Sequence, residues 1–276
     1  MHYFKKYDIK ISISGGISMK KLGLFGCGYL AHIIADCYLR GELEGYEIVG
    51  CFSRGQEHRA LLAEKLKIKA CNTYDELLDL NLDYIIEATN PKATKEIILK
   101  TLYHKTNLIL LSIGALSNEK FLEEAKQAAI KNGVRIHIAN GAMAGFEAIR
   151  TAKLMHMDEA ELVNVKGVGA LRGNSLYKPE MEEKEIIAFK GSAEEAIESL
   201  PTGINVGVAT ALASLGVKKT KITVISRPNF IGDIQTVNFR CNHEIEASLS
   251  IYSENSSIAG YSVVALLQNL ISPIVF

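Results

Sequence analysis

Residues 23 to 31 read "GLFGCGYLA": an apolar run breaks into Gly26 and Gly28, and a small residue, Ala31, follows three positions later. Glycines at this spacing remove side chains where a bulky anion must lie against the backbone. The first amides of a following helix then point at its charge. The run in front is strand-like and "YLAHIIADCYL" behind it is helix-like, the setting that a dinucleotide pyrophosphate turn requires. A tight strand-to-helix corner without a ligand uses the same glycines. On the ligand reading, Gly26, Cys27, Gly28, Tyr29 and Leu30 are the candidate contacts.

Ribose recognition in such a unit falls at the end of the second strand, roughly 20 to 25 residues past the glycines. The residues there are "CFSR". An acidic side chain would accept the ribose hydroxyls of NAD. Ser53 and Arg54 instead present a hydroxyl and a guanidinium, which suit the 2′-phosphate of NADP. The expected cofactor is NADP or NAD, with NADP favoured; a solvated Arg54 is the alternative. Two further loops, "EATNP" (Glu87 to Pro91) and "SIGAL" (Ser112 to Leu116), follow strand-like runs at the edge where an open α/β sheet lines its ligand crevice. They add Ala88, Thr89, Asn90, Pro91 and Gly114 as cofactor candidates. Glu87 reads either as a site carboxylate or as a structural hydrogen-bond acceptor.

Positioning these loops takes a regular alternation. "KLGLFG", "YEIVGCFSR", "LDYIIEATN", "TNLILLSIGAL" and "VRIHIANGAMAG" read as strands, separated by helices such as "EHRALLAEKL", "KATKEIILKTLY" and "NEKFLEEAKQAAIKNG", the last stopped by Gly133. In the first helix Leu30, Ile33, Ile34 and Cys37 share one face. The alternation predicts an α/β, Rossmann-like, doubly wound parallel sheet. After Gly145 the rhythm changes: "FEAIRTAKLMH" and "NVGVATALASLG" read as helices, and a capped helix begins near Ser192 and stops at a proline. "AELVNVKGVGAL", "KITVISRP", "DIQTVNFRC" and "HEIEASLSIYS" have strand character, and "IAGYSVVALLQNLI" closes the chain as an apolar helix. The expected plan is an extension over residues 1–18, a cofactor domain over 19–140, and an α+β substrate and dimerisation domain over 141–257. A C-terminal helix over 258–276 returns to the first domain.

Composition narrows the partners. The 276 residues carry 31 basic and 31 acidic side chains, so no overall field draws the protein to nucleic acid or an anionic membrane. No apolar run reaches the ~18 to 20 residues of a membrane helix. The five cysteines show neither Cys-x-x-Cys pairing nor zinc-like grouping. They predict reduced thiols in a cytoplasmic protein without a metal; the balanced charge suits a small-molecule partner, and the α+β domain is expected to supply the contacts of a homodimer.

Taken together, these segments resemble the L-aspartate dehydrogenase family from about Met19 to the C-terminus. "GLFGCGYLA", "EATNP", "SIGALS", "NGAMAGFEAI" and, most specifically, "FKGSAEEAIESLPTGINVGVATALA" carry the resemblance. It implies an NAD(P)-dependent oxidoreductase that converts an amino acid to an imino acid, aspartate to iminoaspartate in the family. It also implies that Ala142 and Asn205 contact the cofactor, although Asn205 would equally cap a helix. The substrate side departs from the pattern. By resemblance, Gln235 stands where the family carries its catalytic histidine, and an amide orients groups but does not exchange protons near neutral pH.

Asp233, two residues earlier on the same strand face, is the alternative base or a turn cap; Gln235 and Asp233 are the catalytic candidates. "ENSSIAG" keeps Asn255 and offers Ser256 and Ser257 as substrate contacts, but lacks the family's lysine. Lys166 and Arg172 are candidate carboxylate ligands, or solvated loop charges. His243 reads as a hairpin residue pointing away from the crevice, His137 as a core or sheet-face histidine, and His32 as structural or solvent-facing. The departures leave two rivals: an imine or opine-type reductase of the same fold, or a relative of dihydrodipicolinate reductase, on the one hand, and an NAD(P)-binding sensor without turnover on the other.

Overall fold

The computed structural model describes residues 19–276 except 201–203 and 243. The expectations for the 1–18 extension, the proline stop at Pro201 and the position of His243 lie outside the described residues.

Strands β1 (Lys20–Phe25), β2 (Tyr46–Phe52), β3 (Lys69–Ala70), β4 (Tyr84–Glu87), β5 (Asn107–Leu110) and β6 (Ile136–Ile138) form one parallel sheet in the order β3-β2-β1-β4-β5-β6. Helices α1 (Tyr29–Leu39), α2 (Gln56–Leu66), α3 (Tyr74–Leu78), α4 (Pro91–Tyr103) and α5 (Glu119–Asn132) connect them. The central strands are apolar on both faces because helices cover both: Leu108, Ile109 and Leu110 of β5 are fully buried. The strand order reverses between β1 and β4, and this opens a crevice at their carboxyl ends. Gly133 ends α5 in the left-handed conformation, as its position in the sequence predicts. Two elements escaped the sequence pattern, β3 and α3, because two and five residues are too few to show a period. The run "TNLILLSIGAL" is a strand only to Leu110, and its second half is a 3₁₀ turn over Ile113–Leu116.

The remaining chain forms α6 (Phe146–Leu154), β7 (Met157–Gly167), β8 (Ile186–Ser192), α7 (Ala193–Ser199), α8 (Asn205–Ala213), β9 (Lys221–Arg227), β10 (Asp233–Cys241), β11 (Ile245–Ser253) and α9 (Ser257–Ile271). The second sheet has the order β11-β10-β7-β9-β8 and is antiparallel except for the β7–β9 pair. Helices α6, α7 and α8 lie on one face, where Phe146, Ile149, Ala196 and Val208 share a core with Leu162, Ile222 and Val237. The cap read at Ser192 is a reciprocal box with Glu195.

Helix α9 leaves this sheet and packs on α1: Val263, Val264 and Leu267 join the core of Ile34 and Ala35. At its carboxyl end the Leu267 carbonyl accepts from the Tyr46 hydroxyl at 2.8 Å, and Gln268 Nε2 donates to Glu42 O at 2.8 Å. Its first turns lie against Ile33 through Gly260, so α1 and α9 both open their amino ends toward the crevice. No helix among the described residues is long and apolar enough to cross a membrane.

His137 lies in β6 with its ring against Tyr84, centroids 5.8 Å apart. Burial, helped by the positive charge of Arg135, holds its pKa below the ordinary imidazole value. The folded state therefore keeps this ring neutral more strongly than the unfolded chain does. Its share of stability is complete above about pH 6.5 and is lost as pH falls through that value toward the lower folded pKa. Urea midpoints measured from pH 7.5 to 5.5, both chosen as ~1 unit on either side of that value, are expected to fall more steeply for the natural protein than for His137→Asn; parallel curves would contradict this.

Candidate cofactor and substrate site

The two glycines of the first turn have different reasons. Gly26 has φ +103°, and a Cβ there would run into Ala88 O and lie 2.7 Å from Thr89 Cγ2. It is required so that the β1 turn can approach the loop after β4. Gly28 adopts extended backbone at the start of α1, and the position of its missing Cβ has no atom within 4 Å. The first intrahelical bond there is His32 N to Gly28 O, so the preceding amides have no acceptor within the helix. Open space against free amides at a helix start fits an anionic diphosphate. Ala31 is fully buried and lets α1 close on the sheet. Cys27 is buried, so only its backbone faces a ligand, whereas Tyr29 is exposed.

Glu87, fully buried at the end of β4, organises the neighbouring loops. Its Oε1 accepts from Thr89 N at 2.6 Å, Thr89 Oγ1 at 2.8 Å and Ser112 Oγ at 2.8 Å. Its Oε2 accepts from Ser112 N at 2.9 Å and Leu111 N at 3.3 Å. Drawing the Leu111 and Ser112 amides inward ends β5 and starts the 3₁₀ turn that carries Gly114. Of the two readings of Glu87, the structural acceptor describes what it touches. Beside it, Asn90 Oδ1 caps α4 by accepting from Ala93 N at 3.0 Å, and Pro91 is the first helical residue.

Asn205 joins the two halves. It does not cap α8, whose N-cap is Ile204; its Oδ1 accepts from Gly114 N at 3.0 Å. The Nδ2 of the same amide is the donor directed away from that bond. A Cβ on Gly114 would lie 2.9 Å from Pro91 Cγ, so three segments meet here at backbone distance. Ala142 follows Gly141, whose amide donates to Ser262 Oγ of α9 at 3.0 Å. At the other end of the sheet edge, Ser53 and Arg54 follow β2, whose last carbonyl, Phe52 O, accepts from Gly26 N at 2.9 Å. Arg54 is exposed. Arg59, not among the candidates read from the sequence, brings its guanidinium to Asn72 Oδ1 at 3.2 Å and Ser53 O at 3.5 Å. Its position in the first turn of α2, directly after the "CFSR" loop, was the available signal.

The second sheet carries a polar end beside the turn that leads from β11 into α9. Gln235 is 5% exposed, stands opposite Asn164 and Ile251, and its Oε1 has no hydrogen-bond partner among the described residues. Asp233 stands opposite Lys166, and their side chains form an ion pair at 3.1 Å. The Lys166 side chain is 12% exposed, whereas Arg172 is 62% exposed and pairs with Glu182 at 2.7 Å. The structure thus separates two basic residues that the sequence left equivalent. Asn255 and Ser256 are exposed in the turn that starts α9, where Asn255 Oδ1 accepts from Ser257 N at 2.9 Å. Asn164 and Ser226, both buried on this face, were missed; a polar residue inside an apolar strand run was their signal. His32 is in the first turn of α1, and His137 is in the outermost strand of the first sheet.

Comparison with known proteins agrees with this layout. A family profile described as "Homoserine dehydrogenase, NAD binding domain" matches residues 26–139, and one described as "Aspartate dehydrogenase, C-terminal" matches residues 147–270. The L-aspartate dehydrogenase of Methanocaldococcus jannaschii is 30% identical over 273 residues, covering 93% of this chain and 98% of the relative. That of Methanococcus maripaludis strain S2 is also 30% identical, with the same coverage. In fold, the chain is similar to the crystal structure of aspartate dehydrogenase from Thermotoga maritima, with a TM-score of 0.74, 23% identity and coverage of 94% and 99% of the two chains. Full-length similarity at this identity, together with a first sheet built for NAD(P), shows that the chain belongs to the L-aspartate dehydrogenase family.

Proposed function

We propose that the protein oxidises an amino acid, L-aspartate first among them, to the imino acid at the expense of NAD(P)+. The observation that carries this reading is the Asn205–Gly114 bond, which holds the start of α8 against the crevice loop of the first sheet. It supports a nicotinamide site bounded by Gly114, Ala142 and Asn205, with the diphosphate at Gly26–Leu30 and the loop of Ala88, Thr89, Asn90 and Pro91 alongside. When bound, the cofactor supplies the hydride acceptor. The chain's own groups then hold the amino acid, exclude water and take the proton released from nitrogen. Asp233 is the carboxylate for that proton and Gln235 orients the nitrogen; Asn255, Ser256 and Ser257 face the substrate from the start of α9. The resulting iminoaspartate hydrolyses to oxaloacetate and ammonia.

An amide in the catalytic position favours a second reading, a reductase of the same fold working on another imine. General acid–base catalysis contributes ~10²- to 10⁴-fold, so aspartate turnover is expected to be slower by that order than with an imidazole. Arg54, supported by Arg59, favours NADP over NAD.

The substrate domain is taken to span 141–257 and the cofactor domain 19–140 with the helix of 258–276, a division that the return of α9 to α1 supports. Five buried free thiols suit a reducing cytoplasm. The face of the second sheet opposite its helices carries a row of apolar residues across all five strands: Ile187, Ile225, Val165, Ile234 and Tyr252. Ile187 and Tyr252 are more than half exposed. A self-complementary stripe of this kind supports a homodimer through that face.

Purified protein is expected to reduce NADP+ with L-aspartate, and Arg54→Ala to lose affinity for NADPH while keeping that for NADH. Cofactor binding without turnover of L-aspartate, but with turnover of another imine, would favour the second reading. Light scattering is expected to give a dimer that Ile225→Glu converts to a monomer; a monomeric natural protein at micromolar concentration would contradict the interface.

A further inference from the structure

On the inner face of the second sheet, four polar residues stand side by side on four strands. The register aligns Ser226 of β9 with Lys166 of β7, Lys166 with Asp233 of β10, and Asp233 with Ser253 of β11. One row deeper, Gln235 and Asn164 point to the same face, because they stand two residues along their strands. The row beyond is apolar, with Leu162, Ile222 and Val237 in the core. The polarity is therefore confined to the end of the face that continues, through Ser253, into the start of α9.

Two buried groups in this patch lack partners. Ser226 is fully buried and Gln235 is 95% buried on the complementary measure of its 5% exposure, and neither Ser226 Oγ nor Gln235 Oε1 meets a hydrogen-bonding atom among the described residues. The neighbouring Asn164 does not help, since its Nδ2 donates to Ile234 O at 3.1 Å. Buried polar atoms are almost always paired, and two orphans beside an ion pair leave a set that a ligand can complete. Between them lies the Lys166–Asp233 pair, in which Lys166 uses one of its three donors on Asp233 Oδ1.

We propose that Ser226, Lys166, Asp233 and Gln235 form a clamp for the zwitterion of an amino acid. A carboxylate lies against Lys166 Nζ and Ser226 Oγ, and the ammonium against Asp233 and Gln235 Oε1. The clamp rests on the reading above that an amino acid is oxidised at this site, and it specifies how that substrate is held. Donors stand at one end of the row and acceptors at the other, as a zwitterion requires. The ion pair makes the site neutral overall, so a simple mono-anion or a simple cation finds only half of its complement. Lys166 thereby becomes the carboxylate ligand and the acceptors Asp233 and Gln235 select for nitrogen.

The test titrates the protein–NADPH complex, in which L-aspartate cannot be oxidised, with L-aspartate and with succinate, which lacks the nitrogen. Lys166→Met is expected to weaken both acids at least ~10-fold, the loss of one charge-assisted contact, and Lys166→Arg to recover part of this. Asp233→Asn and Gln235→Met are expected to weaken L-aspartate without weakening succinate, which Asp233→Asn tightens by freeing Lys166 from its ion pair. NADPH affinity, the control for folding, stays within about twofold, well inside the tenfold step. Equal affinities for L-aspartate in all variants, or losses that do not distinguish L-aspartate from succinate at Asp233 and Gln235, would overturn the clamp alone. Failure of the natural protein to bind NADPH would overturn the oxidoreductase reading on which the clamp rests, and the clamp with it.

Discussion

A carboxylate without water is an unfavourable thing to bury, and Glu87 is buried completely. It is tolerated because five hydrogen bonds converge on its two oxygens, from Thr89 on one loop and from Leu111 and Ser112 on another. The consequence extends beyond the residue itself. The loops after β4 and β5 are held at fixed separation, β5 is cut short, and the amide of Gly114 is turned toward Asn205. The loops of the crevice are thus braced by the protein's own hydrogen bonds, which lowers the entropy lost in ordering them around a ligand.

Around that anchor the chain divides its tasks between close packing and open space. Gly26 and Gly114 are small because other atoms of the protein lie against them, whereas Gly28 is small where nothing does. Helices α1 and α9 run side by side in the same direction; the first amides of α1 have no acceptor within the helix, whereas that of Ser257 in α9 donates to Asn255 Oδ1. The second sheet contributes a row of polar side chains in which Ser226, Lys166, Asp233 and Ser253 stand side by side.

Much of this was legible in the chain. The alternation of apolar runs and helical periods identified the parallel sheet, Ser192 announced a helix cap, and Gly133 a helix stop, because each is a local signal. What could not be read was long-range. The donors to Glu87 come from up to 25 residues away, so its role emerges only when β4 and β5 lie side by side. The parallel pairing of β7 and β9 depends on the crossover through α7 and α8, not on any residue in either strand. Lys166 and Arg172 are six positions apart and alike in charge; only the register that sets Lys166 beside Asp233, 67 residues on, distinguishes a half-buried clamp from a solvated ion pair.

The central claim is that a single buried carboxylate preforms the nicotinamide crevice, and it is open to a direct measurement. Glu87→Gln keeps the shape but turns an amide NH₂ toward groups that donate. Hydrogen exchange and NADPH titration on this variant are expected to show lost protection over residues 111–116, retained protection in β7 to β11, and a dissociation constant raised by ~10- to 100-fold, the equivalent of one or two charged hydrogen bonds. Unchanged NADPH affinity with unchanged protection of the 111–116 turn would contradict the account.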